Sequence, residues 1–237
     1  MAGMNVAVAS QPSPRTPASG VRTRQTIVAA AGRLFALNGF HGVSMRQIAA
    51  EARVPTALVS YHFKSKLGLY RAVFQAHAAE FTDARVERLE TFNASADPER
   101  AVRELLEIFV QPVIEMSAAP GGRDFARLVA RETNEPREAE RGVLAEFMDP
   151  VARSIISNLA KTFPDVDKAT IHWAFLFASG ALAINHAATG RIERLSDGLC
   201  QSQNPREFVD RLIDFVTGGI LTAVQADRAR RRASLGG

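Results

Sequence analysis

The chain has 237 residues, 46% apolar and 23% charged, with one cysteine, Cys200. That length can bury the core of one or two domains, and a lone cysteine excludes both an intrachain disulfide framework and a four-cysteine zinc site. The formal net charge of +4 hides an asymmetry: residues 1–66 hold eight basic residues against one acid, Glu51, whereas residues 67–227 hold 17 basic and 24 acidic ones.

A basic N-terminus on an acidic body suits contact with a polyanion at one end. No run of about 18 apolar residues predicts a membrane span. No charged-then-apolar leader predicts secretion, so a cytoplasmic protein is expected. Residues 1–20, rich in Ser, Pro and Ala, read as a disordered leader.

Helices follow one another with no period-2 alternation, so the predicted fold class is all-α, with about nine helices. The first is expected over 23–37, with Ile27, Ala30, Ala31, Leu34 and Phe35 on one face. Asn38 and Gly39 stop it. Ser44 and Gln47, three apart, form a capping box at the start of a short helix to Ala52. After a tight turn at Arg53 and Val54, Pro55 opens a second short helix to Phe63. Lys64 and Ser65 break it, and Ser65 caps a long helix expected from Lys66 to Phe92.

Further helices are expected from Asp97 to Ser117, kinked at Pro112, and over 123–134, 138–162, 167–189 and 205–226. Residues 191–203 read as a polar loop. The Arg-rich end, 227–237, reads as a frayed tail.

The pair 44–52 and 55–63 has helix-turn-helix dimensions, in which the second helix enters the major groove of DNA. Thr56, Ala57, Ser60 and Tyr61 fall on its outward face. Short and flat side chains there permit approach to base edges. Leu58, Val59 and Phe63 compete for the inner face. Arg46, Tyr61, His62, Lys64 and Lys66 suit phosphate contact, and Thr23, Arg24 and Ser44 complete the expected DNA-binding set.

The run Thr23-Arg24-Gln25-Thr26-Ile27, with Ala30-Ala31, Leu34-Phe35, Gly39-Phe40, Ser44, Arg46, Ile48-Ala49, Val54, Tyr61-His62-Phe63 and Lys66, resembles the opening of the TetR/AcrR family of transcriptional regulators. Val59-Ser60-Tyr61-His62-Phe63 looks like the branch with an Asn/Ser-Tyr-His-Phe run. The resemblance covers residues 23–74. It implies an all-helical fold, a homodimer, a palindromic double-stranded operator and repression relieved by a ligand. Arg53 departs from the Gly usual in the turn, and Ser60 from the Tyr of other branches. The stretch Arg127–Glu132 with Glu135-Pro136 is similar to effector domains of the same branch.

The expected organisation is therefore a helix-turn-helix domain over 21–66 and an effector-binding and dimerisation domain over 67–226. Candidate pocket residues are Phe109, Val113, Met116, Phe125, Leu128, Phe147, Trp173 and Phe177, with Asn185, His186 and Arg131 as polar orienters. A largely apolar lining would take a small hydrophobic or amphipathic effector. Small residues on the last two helices suggest a dimer interface built from Leu176, Gly180, Ala183, Ile213, Val216 and Ile220; internal packing of a monomer is the alternative.

No cofactor is expected. His172 and His186, 14 apart on one helix, would stand about 21 Å apart and cannot share a metal. An enzyme is not expected either: no nucleophile elbow, phosphate loop or dinucleotide fingerprint occurs. Cys200 lacks a basic neighbour that would activate it. A DNA-binding architectural protein with a filled second domain is the other alternative.

Overall fold

The computed structural model describes residues 17–78, 82–118, 120–186, 190–201 and 204–235. Thirteen helices and no strand occur among them: α1 (Pro17–Asn38), α2 (Met45–Glu51), α3 (Thr56–Phe63), α4 (Lys66–Ala78), α5 (Ala84–Glu90), α6 (Pro98–Ala118), α7 (Gly122–Thr133), α8 (Glu138–Arg141), α9 (Val143–Phe147), α10 (Asp149–Thr162), α11 (Lys168–His186), α12 (Arg191–Leu195) and α13 (Pro205–Leu235). The all-α expectation holds, with more and shorter helices than predicted.

The N-terminal boundaries follow local chemistry. Gly39, at φ 72°, ends α1 in the left-handed region, and its N–H donates to the Phe35 carbonyl at 2.8 Å. The capping box forms as predicted: Gln47 N–H donates to Ser44 Oγ at 3.2 Å, and Ser44 N–H donates to Gln47 Oε1 at 2.8 Å. Ser65 Oγ accepts from Gly68 N–H at 3.0 Å and so caps α4. A Cβ on Gly68 would lie 2.4 Å from the Phe63 carbonyl oxygen, so only glycine fits that close crossing.

Several expected boundaries change. Pro17–Gly20 are already helical, so the leader does not extend to residue 20; residues 1–16 lie outside the described ones. The helix expected over 66–92 is described as α4 and α5, with a π-helical turn at Thr82 and Asp83. The helix expected over 138–162 is three: Gly142 (φ 63°) closes α8, and Pro150 sits in the first turn of α10. Both are ordinary breaker signals. The loop expected over 191–203 contains α12. Helix α6 continues through Pro112.

The tail is not frayed through Leu235, because it has partners distant in sequence. Arg228 grips Asp165 with two hydrogen bonds, Nε to Oδ2 at 2.7 Å and Nη2 to Oδ1 at 2.9 Å. The buried Asp227 carboxylate accepts from Asp167 N–H and Thr170 Oγ1, both at 3.1 Å, and so satisfies backbone at the start of α11.

The N-terminal helices do not form a separate core. Helix α1 packs on α2, α4 and α7, and α6 joins α7 to α13. A chain of rings crosses from one part to the other: Phe35–Tyr70 (4.8 Å between centroids), Tyr70–Phe74 (5.3 Å) and Phe74–Phe125 (5.4 Å). All four are essentially inaccessible to solvent. The second part is layered: α10 packs on α5, α6 and α11, and α11 packs on α7 and α13. Among the described residues no helix is long and apolar enough to cross a membrane.

Candidate nucleic-acid interface and effector cavity

Helix α3 is anchored on one side and bare on the other. Val59 and Phe63 are buried, and Leu58 is half-buried. Thr56, Ala57, Ser60, Tyr61 and Lys64 are exposed, with Tyr61 at 72%. An aromatic ring that exposed contributes little to the protomer's core. Val59 and Phe63 therefore occupy the inner face, and the outward face is the one read from the sequence. His62 is half-buried, edge-on to the Tyr61 ring at 5.4 Å.

The turn between α2 and α3 is made without glycine. Arg53 has φ 54°, and Arg53 N–H and Val54 N–H close the end of α2 on the carbonyls of Ala50 (3.1 Å) and Ala49 (2.9 Å). This is the left-handed helix end that favours glycine, and a side chain there costs about 1 kcal/mol. Lys64, at φ 62°, also has positive φ at the end of α3. Two basic side chains thus occupy strained backbone positions on either side of the exposed helix.

The other expected DNA contacts divide. Arg46 and Ser44 are exposed at the start of α2, and Thr23 is half-buried on α1. Arg24 lies over the Phe63 ring at 5.3 Å. Lys66 turns inward: its Nζ donates to the Val43 carbonyl at 3.0 Å and sits 4.5 Å from the centre of the Phe40 ring. It braces the loop ahead of α2. We therefore expect Arg46→Ala to weaken DNA binding equally for all sequences and to reduce the salt-dependence slope by about 0.9. Lys66→Ala should lower the melting temperature and leave that slope unchanged. Titrations at several salt concentrations, with a melting curve for each variant, check both.

The second site is a cavity of about 230 Å³ enclosed by α5, α6, α7, α9, α10 and α11. Its wall is apolar apart from Arg85, Asp149, Thr133 and Ser179. Phe109 and Met116 line it as expected. Phe125 and Leu128 are core residues, at 1% and 0% exposure. Phe147 stacks on Phe74 at 6.2 Å and borders a separate depression with Thr82 and Pro150. Trp173 and Phe177 face outward, at 58% and 67% exposure. The side chains of Val113, Asn185 and His186 lie outside the described ones. Arg131 Nη2 donates to the Leu37 carbonyl at 3.1 Å, tying α7 to the end of α1 rather than orienting a ligand.

The sequence reading missed Leu144, Met148, Val151 and Phe175 in the lining, and above all Arg85. The sequence signal for Arg85 is its spacing, four residues after Phe81 and four before Leu89, which puts an arginine in an apolar stripe. A wider groove of about 620 Å³ among α1, α4 and the start of α7 carries charged groups, including Arg24, Arg33 and Asp124.

The expected dimer residues also divide. Ile213, Val216 and Ile220 are buried within the protomer at 3–7% exposure, and Ala183 borders the cavity. Leu176, 54% exposed, reaches both cavity and surface. Exposed apolar positions recur along α11 at Trp173, Phe177, Gly180 and Ile184, and α13, which packs on α11, exposes Phe215, Gly218 and Gly219. Ile184 is 75% and Phe215 76% exposed. A Cβ on Gly180, Gly218 or Gly219 would meet nothing within 4 Å, so the protomer's own packing does not require these glycines.

Between the two sites lies a buried polar cluster. The Glu132 carboxylate, at the end of α7, accepts from Tyr70 Oη and from Arg141 Nε, both at 2.7 Å. Both charged side chains are at most 3% exposed. The Arg141 guanidinium lies 5.4 Å from the centre of the Phe40 ring, so α7 and α8 are tied to the loop that enters α2.

Two family models match this architecture. "Bacterial regulatory proteins, tetR family" matches residues 27–73, and "Tetracyclin repressor-like, C-terminal domain" matches residues 107–219. The chain belongs to the tetR family of bacterial regulatory proteins. Among curated proteins it is 29% identical to the "Probable HTH-type transcriptional regulator YttP" of Bacillus subtilis, over 54% of this chain and 58% of that protein. It is 37% identical to the "HTH-type transcriptional repressor NicS" of Pseudomonas putida, over 36% of this chain and 39% of that protein. The alignments thus span little more than half the length of these relatives, or less. Among solved structures, the transcriptional regulator FadR from Bacillus subtilis, crystallised with stearoyl-CoA, superposes with a TM-score of 0.58 at 14% identity, covering 82% of this chain and 98% of that one. At that identity the likeness establishes the fold.

Proposed function

We propose that the chain is a ligand-responsive repressor that binds a palindromic operator as a homodimer and leaves it when a small hydrophobic or amphipathic effector fills the cavity. The observation that carries this reading is the outward face of α3, where Thr56, Ala57, Ser60 and Tyr61 stand exposed on a helix locked behind by Val59 and Phe63. The exposed apolar residues on α11 and α13 support the dimer, since large exposed apolar surface marks an interface. A two-fold axis through them pairs each set with its copy.

Coupling between cavity and DNA runs through α7. Ala126, Val129, Ala130 and Thr133 of that helix line the cavity, and the adjoining Arg131 and Glu132 hold α1, α4 and α8. Among the described lining residues none belongs to α4, and Arg85 of α5 is the one from the stretch 66–92. A ligand that displaces α7 shifts both ties at once. By reciprocity, operator then weakens ligand binding by the factor with which ligand weakens operator binding.

The test is sequence preference. Thr56→Ala and Tyr61→Ala should relax discrimination at particular base pairs by about 1–3 kcal/mol each, measured by competition among operator variants. A loss equal across all variants would move these residues to the DNA backbone and sink the base-reading role of α3.

A further inference from the structure

Three non-glycine residues among the described ones have positive φ: Arg53 (54°), Lys64 (62°) and Asp197 (49°). Aspartate tolerates the left-handed region because its short side chain bonds locally; arginine and lysine have no such help. Arg53 and Lys64 therefore hold backbone strain that glycine would relieve. Both are cations, and they stand on either side of the exposed helix α3.

Lys64 is held in the tighter turn. With φ 62° and ψ −48°, it sits at the centre of a three-residue turn in which Ser65 N–H donates to the Phe63 carbonyl at 2.6 Å. This is the γ-turn of positive φ, the rare and strained form. It leaves the Lys64 Nζ 5.9 Å from the centre of the Tyr61 ring, which belongs to the outward face of α3. At the other end, Arg53 is exposed while Val54 beside it packs against the core. Glu51, the single acid in residues 1–66, is already paired with Arg33 at 3.0 Å. Among the described residues neither Arg53 nor Lys64 makes an ion pair. Strain kept at two positions, with an unpaired cation at each, points to a partner outside the protomer.

We propose that Arg53 and Lys64 are phosphate contacts, one at each end of α3, that hold the DNA backbones walling the groove while the middle of the helix faces base edges. The eight residues of α3 make a helix about 12 Å long, which matches a major groove about 12 Å wide. Cations just beyond its two ends thus stand beside phosphates rather than bases. The proposal rests on α3 being the helix that enters the groove.

The test is binding of the full-length protein to a labelled duplex of random sequence, titrated at several salt concentrations. Phosphate contacts act on every sequence, so no operator need be known. Arg53→Gly and Lys64→Gly should each have two opposed effects. Relief of strain should raise the melting temperature of the free protein by about 2–4 °C. Loss of the contact should lower the salt-dependence slope by about 0.9 for every copy of α3 on the DNA, about an eightfold loss of affinity at about 0.1 M salt. Arg53→Lys keeps charge and strain and should leave slope and melting temperature as they are. Arg53→Ala keeps the strain alone, and should lower the slope without raising the melting temperature. Glycine variants that bind with an unchanged slope overturn the proposal, and so does a duplex that is not bound at all. The base-reading role of α3 is read separately, from Thr56→Ala and Tyr61→Ala on operator variants. Relaxed preference there with unchanged slopes for the glycine variants defeats the phosphate contacts and keeps α3 in the groove. Lowered slopes with unrelaxed preference keep the contacts and defeat base reading by Thr56 and Tyr61 instead.

Discussion

Phe177→Glu is expected to turn the dimer into a folded monomer and to remove operator binding at concentrations where the unmodified protein is saturated. The ring is 67% exposed in the protomer and stacks on Trp173 at 5.9 Å. The substitution therefore takes almost nothing from the core, and helix content and melting should be nearly unchanged at low protein concentration. Burying a large apolar side chain is worth about 1.5–3 kcal/mol, and the two-fold axis counts each change twice. Loss of both rings, before the penalty of a buried carboxylate, weakens the dimer by about a hundredfold or more at about 1.4 kcal/mol per tenfold. A monomer presents one α3 to DNA and forfeits the second half-site. Light scattering with fluorescence titration of operator reads both effects. A variant that stays dimeric would place the interface elsewhere than α11 and α13.

Glu132→Ala should produce the largest stability loss of any single substitution outside the apolar core. The carboxylate is the common acceptor for Tyr70 and Arg141, and Arg141 Nη2 already has no hydrogen-bond partner. Removing one member of a buried ion pair leaves its partner's charge uncompensated, at about 3–5 kcal/mol. For a chain of this length each kcal/mol lowers the melting temperature by about 2–4 °C, so a fall of roughly 6–20 °C is expected. Combining Tyr70→Phe, Glu132→Leu and Arg141→Met in one chain should cost far less, because no charge is stranded.

The same cluster sets an alkaline limit. Burial, with the Glu132 carboxylate beside it, holds the Tyr70 phenol well above its ordinary pKa of 10.0. Above that pH the unfolded chain releases the Tyr70 proton while the folded one keeps it, so stability falls as pH rises. Tyr70→Phe should remove that part of the slope. A Glu132→Ala melting shift of only a degree or two would show that the pair is not sealed from water.

The N-terminal helices were legible in the sequence because their signals are local. The Ser44–Gln47 box, the glycine after Asn38 and the Ser65 cap each act within a few residues, and the structure contains all three. The outward face of α3 was legible for the same reason. What escaped depends on partners far away in the chain. Arg228 and Asp165, 63 residues apart, make the tail a helix where an arginine run suggested fraying. Lys66 satisfies a carbonyl 23 residues earlier instead of facing outward. Trp173 and Phe177 looked like pocket residues because period and apolarity do not reveal which flank of α11 faces inward. Ile213, Val216 and Ile220 looked like interface residues because small neighbours permit close packing within a protomer as well as between two. Arg85 stands apart from these: a charge at core spacing is a local signal, and it is legible without any distant partner.

Footprinting of the intact protein on the DNA upstream of its own coding sequence tests the central claim most directly. A dimer that places two copies of α3 in successive major grooves should protect two inverted half-sites with centres about 10–10.5 base pairs apart, or a small multiple of that. Protection of a single unpaired half-site, or of no preferred sequence at all, would contradict the account.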